Sequence, residues 1–127
     1  RLEATMPRLK ENKARERRIE MEAVVDAYNS EERAMGWYYY LEERLKFPFK
    51  ARCTSKGEIS PLRVEEDVDV IGMAPEAECE SEMFVRVRWC GRRLAVPLSQ
   101  LEPREVDAAT REAVGDWHYW VARGYQL

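Results

Sequence analysis

At 127 residues and 45% hydrophobic composition, the chain can bury one core and is too short for two domains of ordinary size. Its apolar stretches fall far short of the roughly 20 residues that a membrane span needs, and no charged-then-apolar segment opens it, so a soluble, cytoplasmic protein is expected. Three cysteines without a C-x-x-C pair argue against a disulfide framework and a zinc ribbon, and the formal net charge of −3 conceals a basic start and an acidic body.

Residues 1–18 hold seven Lys/Arg against three Glu and few apolar anchors, and read as a basic N-terminal arm that is disordered or marginally helical. Residues 19–127 then carry a net −7 and read as a single domain. Helices are expected within 19–46. "IEMEAVVDAY" has helix-compatible apolar spacing, and "NSEER" offers Asn29 or Ser30 as an N-cap with Glu31 and Glu32 in the first turn. The helix through "RAMGWYYYLEERLK" places Met35, Tyr38, Leu41 and Leu45 on one stripe, with Gly36 marking a close approach of another segment and Pro48 ending the run.

From 47 to 103 the period changes to two. "FPFKARC", "DVDVIGM", "MFVRVRW", "LAVPL" and "SQLEP" read as five short strands, the size and rhythm of a small SH3-like antiparallel barrel. Pro97 cannot donate to a ladder and belongs at an edge or bulge. A last helix over 107–123 is capped by Asp107 and stopped by Gly124, with Ala113, Val114, Trp117, Trp120 and Val121 turned inward and the aromatics packed on "WYYY". The fold class is therefore α+β, a small barrel flanked by N-terminal helices and a C-terminal helix.

Catalysis finds little support. His118 is the only histidine, no serine or cysteine stands in a nucleophile turn, and no glycine loop could cradle phosphate. Arg86, Arg88, Arg92 and Arg93 could meet phosphate, but alternation along the strands reads them as a solvent face. An interaction module that binds a protein or nucleic acid through these strands and the basic arm is the alternative reading.

The electrostatic focus is 65–82, with eight acids and no Lys or Arg. Within it "EAECESEM" sets Glu76, Glu78, Glu80 and Glu82 at every second position. In an extended chain these carboxylates would lie about 6.5–7 Å apart, and each neighbouring pair in water repels by about 0.6 kcal/mol. A bound cation removes that repulsion, and hard oxygen donors on a flexible loop match Ca²⁺. Taken alone, the stretch favours a solvated acidic loop over a cation site. Asp67 and Asp69 with Gly72 and Glu78 mimic part of an EF-hand loop, but the residues between are strand-forming and Pro75 interrupts them. Asp67 could still lend a ligand to an irregular site. A second acidic pair, Glu42–Glu43, sits in the last turns of the aromatic helix, where unpaired carbonyls add to the negative field.

Several strings of this sequence resemble the cyanobacterial calcium-binding family of the CcbP type: "EAVVDAY", "EERAMGWYYYLEERLKFPFKARC", "SPL", "VDVIGMAPEAECESEMFV", "LAVPLSQLEP" and "DWHYWVARGY". The resemblance implies Ca²⁺ binding through surface acids without an EF-hand, in a monomer that buffers or senses cytoplasmic calcium. It places the acidic positions of the family on Glu42 and Glu43 and on the segment Glu76, Glu78, Glu80 and Glu82. Both are all-Glu here, which moves each carboxylate outward by one methylene relative to aspartate.

Overall fold

The computed structural model describes residues 10–56 and 60–127, and shows three α-helices packed with one five-stranded antiparallel sheet. Helix α1, Lys13–Arg18, begins inside the basic arm. Asn12 caps it by accepting from the Arg15 amide at 3.0 Å. It runs directly into a π-turn, Ile19–Ala23, whose Ile19 and Ala23 are buried. Helix α1 is tied down by charge, whereas residues 1–9 of the expected arm lie outside the described residues: Arg15 and Arg18 donate to the fully buried Asp116, at 2.9 Å from Arg15 Nη1 and 2.7 Å from Arg18 Nη2.

Helix α2, Ser30–Arg44, starts at Asn29, whose side chain accepts from the Glu32 amide at 2.8 Å. The helix expected through Val24–Tyr28 gives way to a turn in which Asp26 has a φ of 55°. Gly36 is where the sequence placed a close approach: a Cβ there would stand 2.2 Å from the Ala23 carbonyl oxygen. Of the stripe expected for α2, Tyr38, Leu41 and Leu45 are buried and one position differs. Met35 is exposed, and Ala34, Trp37, Tyr38 and Leu41 face inward, because Trp37 packs edge-on against Trp117 at 5.1 Å between ring centres.

The strands are β1 Phe49–Cys53, β2 Asp67–Met73, β3 Phe84–Trp89, β4 Arg92–Pro97 and β5 Leu101–Arg104. They pair in the order β4-β3-β2-β1-β5, with a bulge in β2 between Val70 and Gly72. Alternation sends Ala51, Val68, Val70, Val85, Val87 and Val96 into the core under α2 and α3. The barrel expected for 47–103 is not closed. The chain crosses from β4 to β5 by a 3-10 turn, Leu98–Gln100, and among the described residues no ladder joins those two strands. Pro97 and Pro103 stand on these edge strands and lack the N–H that a closing ladder would use.

Helix α3, Ala108–Ala122, is capped by Asp107, which accepts from the Thr110 amide at 2.9 Å. Gly124 follows it with a φ of 86°, the left-handed geometry that ends helices. Trp117 and Trp120 both reach Trp37, at 5.1 and 5.6 Å, so the aromatics form core, while Val121 is left exposed.

Candidate metal site

The acidic connection between β2 and β3 is neither extended nor a loose loop. Pro75 opens a short 3-10 turn, Glu76–Cys79, and three small or apolar side chains hold the segment down. Ala74, Cys79 and Met83 are buried. The Tyr38 hydroxyl donates to the Ala74 carbonyl at 2.8 Å, and the Phe84 amide donates to Cys79 Sγ at 3.4 Å. Burial pushes the Cys79 thiol pKa up, so the sulfur stays protonated and is a core group rather than a soft ligand. With these anchors turned inward, Glu76, Glu78 and Glu80 are left in solvent.

The four glutamates are dealt out to different surroundings. Glu76 and Glu80 line an open cleft of about 710 Å³ between the turn and α2, with Glu31, Ser30 and Ser81 on its walls. Glu80 and Glu82 also border a second cleft against the end of α3, lined by Trp117, Trp120 and Tyr125. Glu78 lines neither. Tyr39 reaches over from α2 and donates its hydroxyl to Glu76 Oε2 at 2.9 Å, which raises the phenol pKa. Desolvation raises that of Tyr38, and the negative charges of Glu42 and Glu76 add to it, so the helix acids and the turn share one field. Arg44 is drawn away from its neighbours Glu42 and Glu43, bonding Glu22 and lying 4.5 Å over the Tyr40 ring. Glu42 and Glu43 are exposed.

Asp67 is not brought to this place. It begins β2 while the acidic turn follows the strand's other end, about 20 Å away at the rise of an extended chain. Arg52 holds it at 3.0 Å and lowers its pKa. Glu31 is the residue that sequence reading missed. Its position in the first turn of α2 had a sufficient local explanation in the helix dipole, and only packing brings it opposite Glu76 and Glu80. His118 is half-buried, with Nε2 3.2 Å from the Leu98 carbonyl oxygen. Among the described residues no three His, Cys, Asp or Glu side chains converge as a preformed metal cage. The donors on offer are carboxylates, hydroxyls and the carbonyls of a tight turn, a hard-oxygen set.

Half-burial, with no charged partner among the described residues, raises the Glu82 pKa above the ordinary glutamate value. The native state then holds that proton more tightly than the unfolded chain does. Stability from this group is greatest below the unfolded pKa and is lost as pH rises through the folded one, so ionised Glu82 costs stability at neutral pH. Thermal unfolding of Glu82→Gln should show a higher midpoint than the parent at pH about 7, and the difference should close at pH below about 4.

Known proteins resemble this chain in sequence and in fold. The sequence model of the CcbP family, described as "Calcium binding", matches residues 17–121. The crystal structure of CcbP from Anabaena is 45% identical and superposes with a TM-score of 0.85, covering 96% of this chain and all of that one. A structure described as a calcium binding protein in the calcium-binding form is also 45% identical, with a TM-score of 0.81, covering 91% of this chain and 95% of that one. No curated protein matches the chain. In sequence and in fold, the chain belongs to the CcbP family of calcium-binding proteins.

Proposed function

We propose that this protein binds Ca²⁺ at the acidic turn after β2, without an EF-hand and without catalysis, and that it buffers or senses cytoplasmic calcium as a monomer. The observation that carries the reading is that Glu31, Glu76 and Glu80 all line one open cleft, in a member of a calcium-binding family. Three carboxylates of like charge repel one another in the free protein and rest apart. A divalent ion replaces that repulsion by attraction and draws the flexible glutamate arms inward, which suits the irregular oxygen shell of Ca²⁺ better than the strict octahedron of Mg²⁺. Glu42, whose charge acts on Tyr38 together with that of Glu76, and Glu82, which borders the neighbouring cleft with Glu80, would strengthen the site, and Glu43 with the last carbonyls of α2 offers a second, weaker one. Ligation requires ionised carboxylates, so affinity falls with pH, and the raised pKa of Glu82 removes any contribution it makes at a higher pH than an ordinary glutamate would.

Calorimetric titration at low salt tests this directly, and no heat at millimolar Ca²⁺ would sink the proposal. Glu76→Gln/Glu80→Gln should weaken binding by roughly tenfold or more, because affinity at such sites is tuned by the ligands' charge count. Tb³⁺ offers a positional readout. Trp117 and Trp120 border the cleft of Glu80 and Glu82, so an ion seated there should luminesce on tryptophan excitation and dim in the double variant. Luminescence surviving the double variant but lost with Glu43→Gln would move the main site to the end of α2.

A further inference from the structure

The sheet face turned away from the core carries a row of charges that calcium binding does not use. The ladders set Arg104 beside Lys50, Lys50 beside Asp69, Asp69 beside Arg88 and Arg88 beside Arg93, so each of the five strands contributes one residue to a line across the sheet. All five are exposed, and at the usual strand spacing the line is about 19 Å long. Four of the five are cations. Among the described residues none of these four takes part in an ion pair, whereas Arg52 in the neighbouring row is held by Asp67 at 3.0 Å. Lys50 directly opposite Arg104, and Arg88 directly opposite Arg93, are like-charge pairs that weaken the sheet they sit on. An anion laid along the row relieves both. Beside the row runs a groove of about 670 Å³ with Phe47, Pro48, Ile71 and Val106 in its wall and Lys50, Arg88 and Arg104 at its rim.

We propose that this face docks an acidic peptide segment of a partner protein, with its carboxylates on Lys50, Arg88, Arg93 and Arg104 and an apolar side chain in the groove. Charge complementarity selects the occupant. A cation row flanking an apolar slot matches a chain that alternates carboxylates with an apolar residue. A nucleic-acid strand matches less well, because Asp69, Glu105 and Asp107 line the same groove and would face its phosphates. A long polyanion also extends past the screening length of about 8 Å into the field of a chain whose net charge is −3. A short peptide remains over the cations, and its backbone N–H groups are donors for those acids.

The test is fluorescence anisotropy of a labelled twelve-residue Glu-Glu-Phe repeat added to the full chain at about 50 mM salt, beside an all-Glu peptide and an oligo-dT of equal length. The Glu-Glu-Phe peptide should bind most tightly and weaken as salt is raised. Lys50→Glu/Arg88→Glu should weaken it by roughly tenfold or more, and Lys13→Glu, a charge change of the same kind on α1, should leave it within about twofold. Circular dichroism checks that each variant is folded, and Arg93→Glu/Arg104→Glu repeats the test if the first pair is not. Equal loss with Lys13→Glu, equal binding of the all-Glu peptide, tighter binding of oligo-dT, or no binding at all would each overturn the proposal.

Discussion

Asp116→Ala is expected to lower stability by roughly 3–5 kcal/mol, the usual cost of removing one partner from a buried ion pair. The Asp116 carboxylate is fully buried and accepts from Arg15 Nη1, from Arg18 Nε and Nη2, and from the Tyr40 hydroxyl at 2.6 Å. Burial and the bond to Asp116 push the Tyr40 phenol pKa up, so it remains a donor throughout the physiological range. Without the carboxylate, two guanidiniums face each other and a buried hydroxyl loses its acceptor. Both arginines are partly exposed and can rehydrate, which places the result toward the lower end of the range. At a few degrees per kcal/mol for a chain of this size, the thermal midpoint should fall by about 10 °C or more. The loss should be local as well as global. Helix α1 is bonded a second time, by Tyr119 on α3 and Tyr125 just past its end, to Glu16 at 2.7 and 2.9 Å, so α1 should become the first segment cut in limited proteolysis of the variant. Asp116→Asn keeps the shape and part of the hydrogen bonding, and should lose less. A midpoint unchanged in Asp116→Ala would mean that α1 is not held by this network.

Gly36→Ala should destabilise although alanine is the better helix former. Alanine in a helix interior is favoured over glycine by about 1 kcal/mol. Here the new methyl would stand 2.2 Å from the Ala23 carbonyl oxygen, and the obstacle is backbone rather than the far end of a flexible side chain. Overpacking of that kind costs typically 1–3 kcal/mol or more, and the contact is severe enough to exceed the propensity gain. A net loss of about 1–2 kcal/mol is expected, read as a lower urea midpoint at unchanged slope. A gain in stability would mean that the π-turn can slide off α2 at little cost.

These two positions also show what could be read in advance. Gly36 was legible because glycine inside a helical pattern has few explanations other than a close approach. The caps at Asn29 and Asp107, the stop at Gly124, the five strands and the edge position of Pro97 were legible for the same reason: each follows from a short-range rule with a geometric cause. Asp116 was not legible. An aspartate two residues before His118 looks like a solvated helix acid, and its burial depends on two arginines about a hundred positions earlier in the chain. Of the stripe read for α2 only Met35 was misplaced, because Met35 and Trp37 both fit a helical period and only the partner rings on α3 decide which is inside. Closure of the barrel was also beyond reach, since strand count and rhythm do not say whether the last two strands meet.

The candidate site divides along the same line. The acidic run 65–82, the glutamates at 76, 78, 80 and 82 and the pair at 42 and 43 are matters of composition and spacing, visible without coordinates. Their oxygen donors match a hard cation, although taken alone the run favoured a solvated loop. Whether those carboxylates share a place is a three-dimensional question. The 3-10 turn breaks the alternation, sends Glu78 away from the clefts, sets Glu76 and Glu80 toward α2 opposite Glu31, and leaves Asp67 at the far end of β2 with Arg52. By itself the sequence determined the elements, their caps and the charge type of the site, because these depend on neighbours within a few residues. Only the tertiary structure decided the partners, because convergence of side chains is set by which distant faces the core packs together.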